Sequence, residues 1–387
     1  MTTIIGSPQE ICVSSRSSQP MRIAFLGTRG IPANYGGFET FTEEVSVRLA
    51  SRGHRVTVYC RAHNGSADLR TFRGVDLVQL PAIRNKYMET FSHTLYSAVH
   101  ALFRQFDITY VCNSANAPIC FIPWMRRQRT ILNVDGLEWR RAKWSPLAQR
   151  YSRWAARLAA RMPIEVVTDA RVIQDYYGTR LNRETKFFPY GTDLFERGHG
   201  ANRLAGMGLE AGRYLLYVSR LEPENNALLT VQAYARVVTD VPLVLVGDAP
   251  YAEEYIREVK AAADDRVRFL GYRFGDDYHA LQANALAYIQ ATEVGGMHPA
   301  LLEALGHGNA ILVQDVPQHH EVVGDAGLYF NLRDANDLAT QMRCVLADPD
   351  EVERLRRCAR ERAETSYSWD SITDEYEAYF TSLLNGS

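Results

Sequence analysis

Three short stretches of the chain carry residue types that suit a phosphorylated ligand. The first is Gly27-Thr-Arg29-Gly-Ile-Pro-Ala-Asn-Tyr35-Gly36-Gly37. Its two separated glycine sets let backbone N–H groups approach an anion, Arg29 adds a cation, and a helix start after the loop favours negative charge. Dinucleotide binding would want G-x-G-x-x-G and an acid about 20 residues on. This run reads G-T-R-G and the next apolar segment ends in Cys60-Arg61, which disfavours NAD(P). The second stretch is Thr292-Glu293-Val-Gly295-Gly296-Met297-His298-Pro299-Ala-Leu-Leu-Glu303. Amides at 295–298 can cradle a phosphate. Glu303 lies close enough to a helix start to accept two ribose hydroxyls. The third, Ser219-Arg220-Leu-Glu-Pro-Glu-Asn225-Asn226, sets an arginine just past a strand, where it can clamp a pyrophosphate bidentately. The bland alternative for Arg220 is a surface pair with Glu222 or Glu224.

These residues need a scaffold, and the apolar pattern supplies one. Arg22–Gly27 reads as a strand, 38–52 as a helix with Phe41, Val45 and Leu49 on one face, and 54–60 as the next strand. That is a βαβ unit of a parallel sheet. Further strands fall at 76–79, 108–113, 130–134 and 165–168. The pattern then restarts, with strands at 213–219, 242–247, 267–270, 286–290 and 310–314 and helices between them. The reading is α/β, with two doubly wound Rossmann-like domains facing a central cleft. Their expected bounds are 21–195 and 210–365, with a polar, Gly-rich linker between them. The segment from Asp334 to Leu384 reads as helical throughout, and its last part, 366–387, is a candidate to pack back on the first domain. Residues 1–20 read as a mobile extension. Ligands of open α/β sheets bind at the carboxyl ends of the strands, so each lip of the cleft should hold one ligand.

Composition narrows the function classes. The 387 residues carry a net charge of −2, with 46% hydrophobic and 23% charged residues, as a soluble globular protein does. That balance excludes a general nucleic-acid coat. No apolar run approaches the ~18–20 residues of a membrane span. The six cysteines form no C-x-x-C pair, which suits reduced thiols and a cytoplasmic setting. One local departure stands out. Four of the five tryptophans (Trp124, Trp139, Trp144 and Trp154) fall within residues 124–154. Between Trp124 and Arg161 ten basic residues stand against Asp135 and Glu138 only. Ser145-Pro146 is a good helix start. Beyond it Leu147, Tyr151, Trp154 and Leu158 form one stripe, and Arg150, Arg153, Arg157 and Arg161 a neighbouring one. This is the make-up of an interfacial helix for anionic lipid. The alternative is a core-packed helix with a solvated basic face. His319 and His320 read as an exposed loop pair.

Taken together, the three stretches resemble glycosyltransferase family 4, the retaining enzymes of GT-B fold. Within it, the segments 27–41, Asn133-Val-Asp135-Gly-Leu-Glu138-Trp through Trp144, Pro189-Tyr-Gly-Thr-Asp193, Arg220–Asn226 and Glu293-Val-Gly-Gly resemble the bacterial rhamnosyltransferase subgroup. The resemblance runs from Met21 to about Trp369. It implies sugar transfer with retention from a nucleoside diphosphate sugar, generally dTDP-L-rhamnose, to a lipid-linked glycan in cell-surface polysaccharide synthesis. No metal or other cofactor is implied. It places the enzyme in the cytoplasm, peripheral at the inner membrane face.

The site implied has Arg220, Asp135 and Glu293 as catalytic candidates. Gly36, Gly37, Arg220, Asn225, Gly295, Gly296, Met297, His298 and Glu303 would bind the donor. Arg29, Tyr35 and Glu138 would face the acceptor. Three positions depart from the family pattern. Gly295 replaces the usual acid eight residues before Glu303, and Asn225 replaces the lysine of R-x-x-x-x-K. Met297-His298 replaces the small polar pair of the subgroup's G-G-T-N-P-S. Two alternatives follow from these departures: transfer from another UDP- or GDP-sugar, and a scaffold that binds a sugar nucleotide with little turnover.

Overall fold

The computed structural model describes residues 19–33, 36–64, 68–85, 88–134, 136–137, 139, 145–249, 252–293 and 297–386. Among the candidates, Tyr35, Asp135, Glu138, Gly295 and Gly296 lie outside the described residues. So do residues 1–18 of the expected extension and Arg140, Arg141, Lys143 and Trp144 of the basic stretch.

The first domain holds strands β1 (Arg22–Leu26), β2 (Arg55–Arg61), β3 (Thr71–Phe72), β4 (Val75–Leu80), β5 (Ile108–Cys112), β6 (Arg129–Val134), β7 (Glu165–Thr168) and β8 (Lys186–Phe187). Its helices are α1 (Gly37–Ser51), α2 (Glu89–Ala101), α3 (Phe121–Met125), α4 (Pro146–Arg161) and α5 (Arg171–Leu181). In the second domain the strands are β9 (Leu215–Val218), β10 (Leu243–Val246), β11 (Val267–Gly271), β12 (Ala287–Gln290), β13 (Ala310–Gln314) and β14 (Gly327–Phe330). The remaining helices are α6 (Ala201–Leu204), α7 (Ala227–Tyr234), α8 (Glu253–Ala261), α9 (Gly275–Asn284), α10 (Pro299–Gly306), α11 (Pro317–Val323), α12 (Ala335–Ala347), α13 (Pro349–Ser366) and α14 (Trp369–Asn385).

The strand orders are β3-β4-β2-β1-β5-β6-β7-β8 and β11-β10-β9-β12-β13-β14. All pairings between these strands are parallel except β3 with β4. Helices cover both faces, so β5, β10, β12 and β13 are buried along their whole length and read as nearly continuous apolar runs, with Thr109, Gln290 and Gln314 the polar members. In each sheet the order reverses at the first strand of its domain. β1 lies between β2 and β5, and β9 between β10 and β12. The carboxyl ends of β1 and β9 are therefore the two switch points. The Gly27–Gly37 loop leaves one, and Ser219-Arg220 leaves the other.

The C-terminal segment is not one continuous helical run. Asp334 caps α12, Asp348 caps α13 ahead of Pro349, and the chain turns again at Tyr367-Ser368. A side-chain carboxylate at each of the first two breaks accepts a backbone N–H that an unbroken helix would have used. α14 then packs on the first domain. Trp369, Ile372, Tyr376 and Phe380 are buried, each burial worth about 1.5–3 kcal/mol. The Tyr376 ring stacks on Phe188 at 4.3 Å, and its hydroxyl lies 3.0 Å from that of Tyr110. Arg52 and His54 both meet Glu377. One apolar core runs through both domains and this helix.

Candidate active site

The first lip is shaped by glycines that no other residue could replace. Gly27 and Gly30 have φ of +92° and +112°. A Cβ on Gly27 would lie 2.4 Å from the Cys112 carbonyl, and one on Gly30 would lie 2.6 Å from the Cys60 sulfur. The loop they form is held from α1. Glu39 Oε1 accepts the Arg29 N–H at 2.9 Å, and Glu43 Oε2 accepts the Ala33 N–H at 2.5 Å. Burial raises the Glu39 pKa, opposed by that N–H and by the charges of Arg29 and Arg61. The expectation of an open amide cradle along this loop is thus corrected at residues 29 and 33, whose amides already serve carboxylates of their own chain. The free donors sit instead at the start of α1, where an α-helix leaves its first N–H groups without partners. Gly36 is its N-cap in extended backbone, and its carbonyl receives Glu39 and Thr40.

On the second lip, Arg220 follows β9. Its Nη2 is 3.4 Å from Glu222 Oε2, and its side chain is 37% exposed while that of Glu222 is buried. The turn is fixed by Gly247 (φ +128°), whose Cβ would fall 1.9 Å from the Ser219 carbonyl. It is also fixed by Asn225, whose buried side-chain amide donates to the Arg220 carbonyl at 2.7 Å. Asn225 therefore does not stand in for the family's phosphate-binding lysine. It is a positioning residue that shapes the backbone carrying Arg220. Glu293 is exposed, and its backbone N–H donates to the Glu224 carbonyl at 3.0 Å.

Glu303 lies in the second turn of α10, partly buried in the cleft. Tyr278 donates its hydroxyl to Glu303 Oε2. Gln282 Nε2 donates to that hydroxyl at 3.0 Å, and Asn309 Nδ2 donates to Gln282 Oε1 at 3.0 Å. Burial pushes the Glu303 carboxyl up to about 7, and the charges of Asp193 and Glu44 add to the shift against Tyr278. A helix turn, a tyrosine and two amides from separate elements thus hold one carboxylate near neutrality in the cleft.

The two lips meet at their helix starts. A Cβ on Gly37 would lie 3.0 Å from Pro299 Cγ and 3.2 Å from Tyr190 Cε2. The N-terminus of α1 therefore touches that of α10, and two positive helix ends converge on one place. Met297, expected against the donor, is 6% exposed, and its sulfur accepts the Tyr190 N–H at 3.4 Å. It seals the junction rather than lining an open pocket. His298 is the N-cap of α10, with its ring 5.3 Å from His319. His319 is not on an exposed loop. It is buried in α11 with Nδ1 2.9 Å from the Gln314 carbonyl, and burial lowers its pKa to about 4. His320 is exposed beside Asp315.

Sequence reasoning missed Arg48. From α1 it pairs with Glu44, with Asp193 at 2.8 Å and with Asp370 at 2.9 Å, joining the first domain, the crossing segment and α14. Gly306 lets that segment pass, since a Cβ there would lie 2.2 Å from the Asp193 carbonyl. The only signal in the chain was the Glu44–Arg48 spacing. Tyr278 and Gln282 had none.

In the basic stretch the apolar stripe divides between surface and core. α4 starts at Ser145-Pro146 as read, but it packs through Ala155, Ala156 and Ala159. Leu147 and Trp154 are 76% and 50% exposed, and Arg150, Arg153, Arg157 and Arg161 are exposed beside them. Phe121, Trp124 and Met125 of α3 are exposed as well. Leu147 and Trp154 thus share the arginine face, while Tyr151 and Leu158 of the same stripe pack against the first domain's core. Among the described residues no helix is long and apolar enough to cross a membrane.

Residues 212–348 match the family described as Glycosyl transferases group 1. Residues 21–193 match a domain of unknown function. The chain is 26% identical over 170 residues to O-antigen chain mannosyltransferase B of Escherichia coli, covering 42% of this chain and 44% of the relative. It is 26% identical over 157 residues to the N-acetylgalactosamine-N,N'-diacetylbacillosaminyl-diphospho-undecaprenol 4-alpha-N-acetylgalactosaminyltransferase of Campylobacter jejuni, covering 40% and 41%. The chain thus spans less than half the length of either relative. Anabaena HepE, solved with UDP and glucose, superposes with a TM-score of 0.77 at 19% identity over 94% of this chain and 100% of that one. The fold of the chain is accordingly GT-B: two Rossmann-like domains and a helical tail.

Proposed function

We propose that the chain transfers a hexose from a nucleoside diphosphate sugar to a lipid-linked glycan, with dTDP-L-rhamnose as donor and retention of configuration. The observation that carries the reading is the convergence of the α1 and α10 N-termini at Gly37 and Pro299, one turn ahead of Glu303. The positive helix ends and Arg220 suit a diphosphate, and Glu303 suits the ribose hydroxyls. In this assignment the donor's bond from anomeric carbon to diphosphate oxygen breaks. The acceptor oxygen attaches on the same face, and its proton passes to the departing phosphate. Arg220 and the helix amides stabilise charge as it develops on the leaving group. Glu293 and Asp135 are the carboxylates we assign to the sugar, and Arg29, Tyr35 and Glu138 the residues we assign to the acceptor side. Gly36, Gly295, Gly296 and His298 complete the donor turns. The rhamnose assignment is supported by the segments 27–41, 133–144 and 220–226.

A thermal-shift panel of dTDP, UDP, GDP, ADP and NAD, alone and as sugar conjugates, tests the donor. A ligand that binds only the folded state raises its stability, so dTDP should raise the melting point selectively. A selective UDP or GDP response would replace the donor. No nucleotide response would replace transfer with the scaffold reading.

We place the enzyme peripherally at the cytoplasmic membrane face, through the arginines and exposed aromatics of α3 and α4. Each basic residue near an anionic surface contributes about 1 kcal/mol. Changing Arg150, Arg153 and Arg157 to Glu should therefore weaken binding to phosphatidylglycerol vesicles by about a hundredfold. Sedimentation showing equal binding would remove the membrane assignment.

A further inference from the structure

Glu303 is linked to the surface by a chain of side chains that runs away from the cleft. Tyr278 on α9 donates its hydroxyl to Glu303 Oε2, and Gln282, one turn on in the same helix, donates Nε2 to that hydroxyl at 3.0 Å. Asn309, between α10 and β13, donates Nδ2 to Gln282 Oε1 at 3.0 Å and to the Gln282 carbonyl at 2.9 Å. The chain ends at Arg197, on the segment that joins the two domains. Its Nη1 donates to Asn309 Oδ1 at 3.1 Å, and its Nη2 donates to the Ala285 carbonyl at 3.2 Å. Gln282 and Asn309 are buried, whereas Arg197 is exposed.

The bonds from Arg197 to Glu303 all donate in one direction, from the cation to the carboxylate. The groups at the ends dictate that direction. A guanidinium has donors only, so Asn309 turns Oδ1 toward Arg197. A carbonyl accepts only, so Asn309 turns Nδ2 toward Gln282. Gln282 meets that donor with Oε1 and is left with Nε2 for Tyr278. The hydroxyl accepts from Gln282 and has one proton to give, which goes to Glu303. Bonds aligned head to tail polarise one another, and this alignment favours negative charge on Glu303.

We propose that Arg197 is a positioning residue for Glu303, acting through Asn309, Gln282 and Tyr278 to keep that carboxyl a hydrogen-bond acceptor. Its consequence for nucleotide binding rests on the assignment of Glu303 to the ribose hydroxyls. The chain works against the other surroundings of Glu303. Burial raises its pKa, as do Asp193 of the joining segment and Glu44 of α1, both of which pair with Arg48. Tyr288 of β12 is a further ionisable neighbour. Arg197 itself faces Arg356 and Glu353 of α13, Tyr214, and His307 of α10. A cation that reaches Glu303 through oriented bonds offsets part of what burial and the two acids impose.

Urea melts of the full chain across the pH range test this without any nucleotide. Stability falls as pH rises and levels off near the folded pKa of Glu303, about 7. Subtracting the same curve for Glu303→Gln isolates that carboxyl. In Arg197→Met the levelling point should move upward by about half a unit, because the carboxylate loses its polarising cation. Arg197 is exposed, so this variant keeps its fold. Arg197→Lys should restore the native value. In a Tyr278→Phe background, where the chain is cut, Arg197→Met should move the levelling point no further. An unchanged levelling point in Arg197→Met would overturn the proposal, as would a shift that persists with Tyr278→Phe, since the charge would then act through space. Stability lowered equally at every pH would also overturn it, by showing a packing role alone. Calorimetric titration with dTDP separates this inference from the ribose assignment. At pH 7 Arg197→Met should weaken dTDP binding about twofold, as the ionised fraction of Glu303 falls from about a half to about a quarter. Well above pH 8 it should match the native chain. A levelling point that moves in a native chain that binds no dTDP would overturn the ribose assignment and leave the positioning role standing.

Discussion

In the first domain the carboxylates beside the glycine turn face backwards. Glu39 and Glu43 reach from α1 to the amides of Arg29 and Ala33 and hold the loop. In the second domain the carboxylate beside the glycine turn faces the cleft. Among the described residues Glu303 takes no backbone amide, and Tyr278, backed by Gln282 and Asn309, sets its orientation. Both turns follow strand ends at or beside a switch point, and both lead into helices. The difference lies in what each acid is bonded to. An acid bonded to backbone amides stiffens a loop, whereas one held through a single hydroxyl keeps lone pairs for a ligand. Similar residue types therefore build a rigid lip on one side and a carboxylate with lone pairs to spare on the other.

Four changes break or sharpen this contrast. The largest effect is expected at the point of contact between the lips. Gly37→Val places methyl groups against Pro299 and Tyr190, where even a Cβ lies within 3.0–3.2 Å. The lips must part, and a displacement of about 1 Å between reacting groups costs on the order of a hundredfold in turnover. Steady-state transfer should fall by that factor while circular dichroism stays native.

Next comes Glu303→Gln, which should weaken nucleotide binding by about tenfold, the equivalent of one charge-assisted hydrogen bond. The same variant should gain stability. The Glu303 carboxyl is raised from 4.5 to about 7 in the fold, so the folded state holds its proton more tightly than the unfolded chain. Native stability then falls as pH rises from about 4.5 to 7 and stays low above that. Removing the ionisable group should restore roughly 1–2 kcal/mol at pH 8 and nothing at pH 4. Urea melts at the two pH values check the sign. For the native chain, nucleotide affinity should increase as pH rises through about 7, because the carboxylate is the form that accepts two ribose hydroxyls.

Glu39→Ala should act on the other lip alone. It leaves the Arg29 N–H without its acceptor and should cost about 1–3 kcal/mol of stability. The acceptor KM should rise while the dTDP Kd is unchanged. Equal effects on both constants would erase the distinction between the lips. The smallest effect is expected from Tyr278→Phe. Without the hydroxyl that favours the carboxylate, the pH midpoint of nucleotide binding should move upward by about half a unit to one unit. A downward or absent shift would show that Tyr278 does not orient Glu303.

The strands that were legible in the chain are the buried ones. β1, β2, β5, β9, β10, β12 and β13 are mostly apolar runs with turn residues at their ends, and the edge strand β11 was legible through Val267, Phe269 and Leu270. The missed strands β3, β8 and β14 are short edges with mixed exposure, and little in two to four such residues separates a strand from a loop. Within the site, Arg220 and Glu303 were legible because each follows a strand or opens a helix at a recognisable glycine or proline. Asn225 and Met297 were legible as members of the site but not in their roles. Which way a side chain turns from a short turn depends on the folded backbone around it, here Arg220's carbonyl five residues before Asn225 and the distant Tyr190 amide for Met297. The same holds for α4, whose apolar stripe reads as a lipid-facing surface, with a core-packed face as the alternative. Small alanines reach the core there, and the larger Leu147 and Trp154 are left outside.

The amino-acid order by itself determined the two parallel sheets and the loops at their switch points, because period and punctuation are local properties. It also set the arginine excess of residues 124–161, which no folding can remove. Only the tertiary structure decided that α1 and α10 meet end to end, that Arg48 ties three segments together, and that Glu303 is held near neutrality. Those outcomes depend on distances between residues far apart in the chain. Burial and the nearby charges of Asp193 and Glu44 set the last of them, and a carboxylate acquires such surroundings only when the domains close around it.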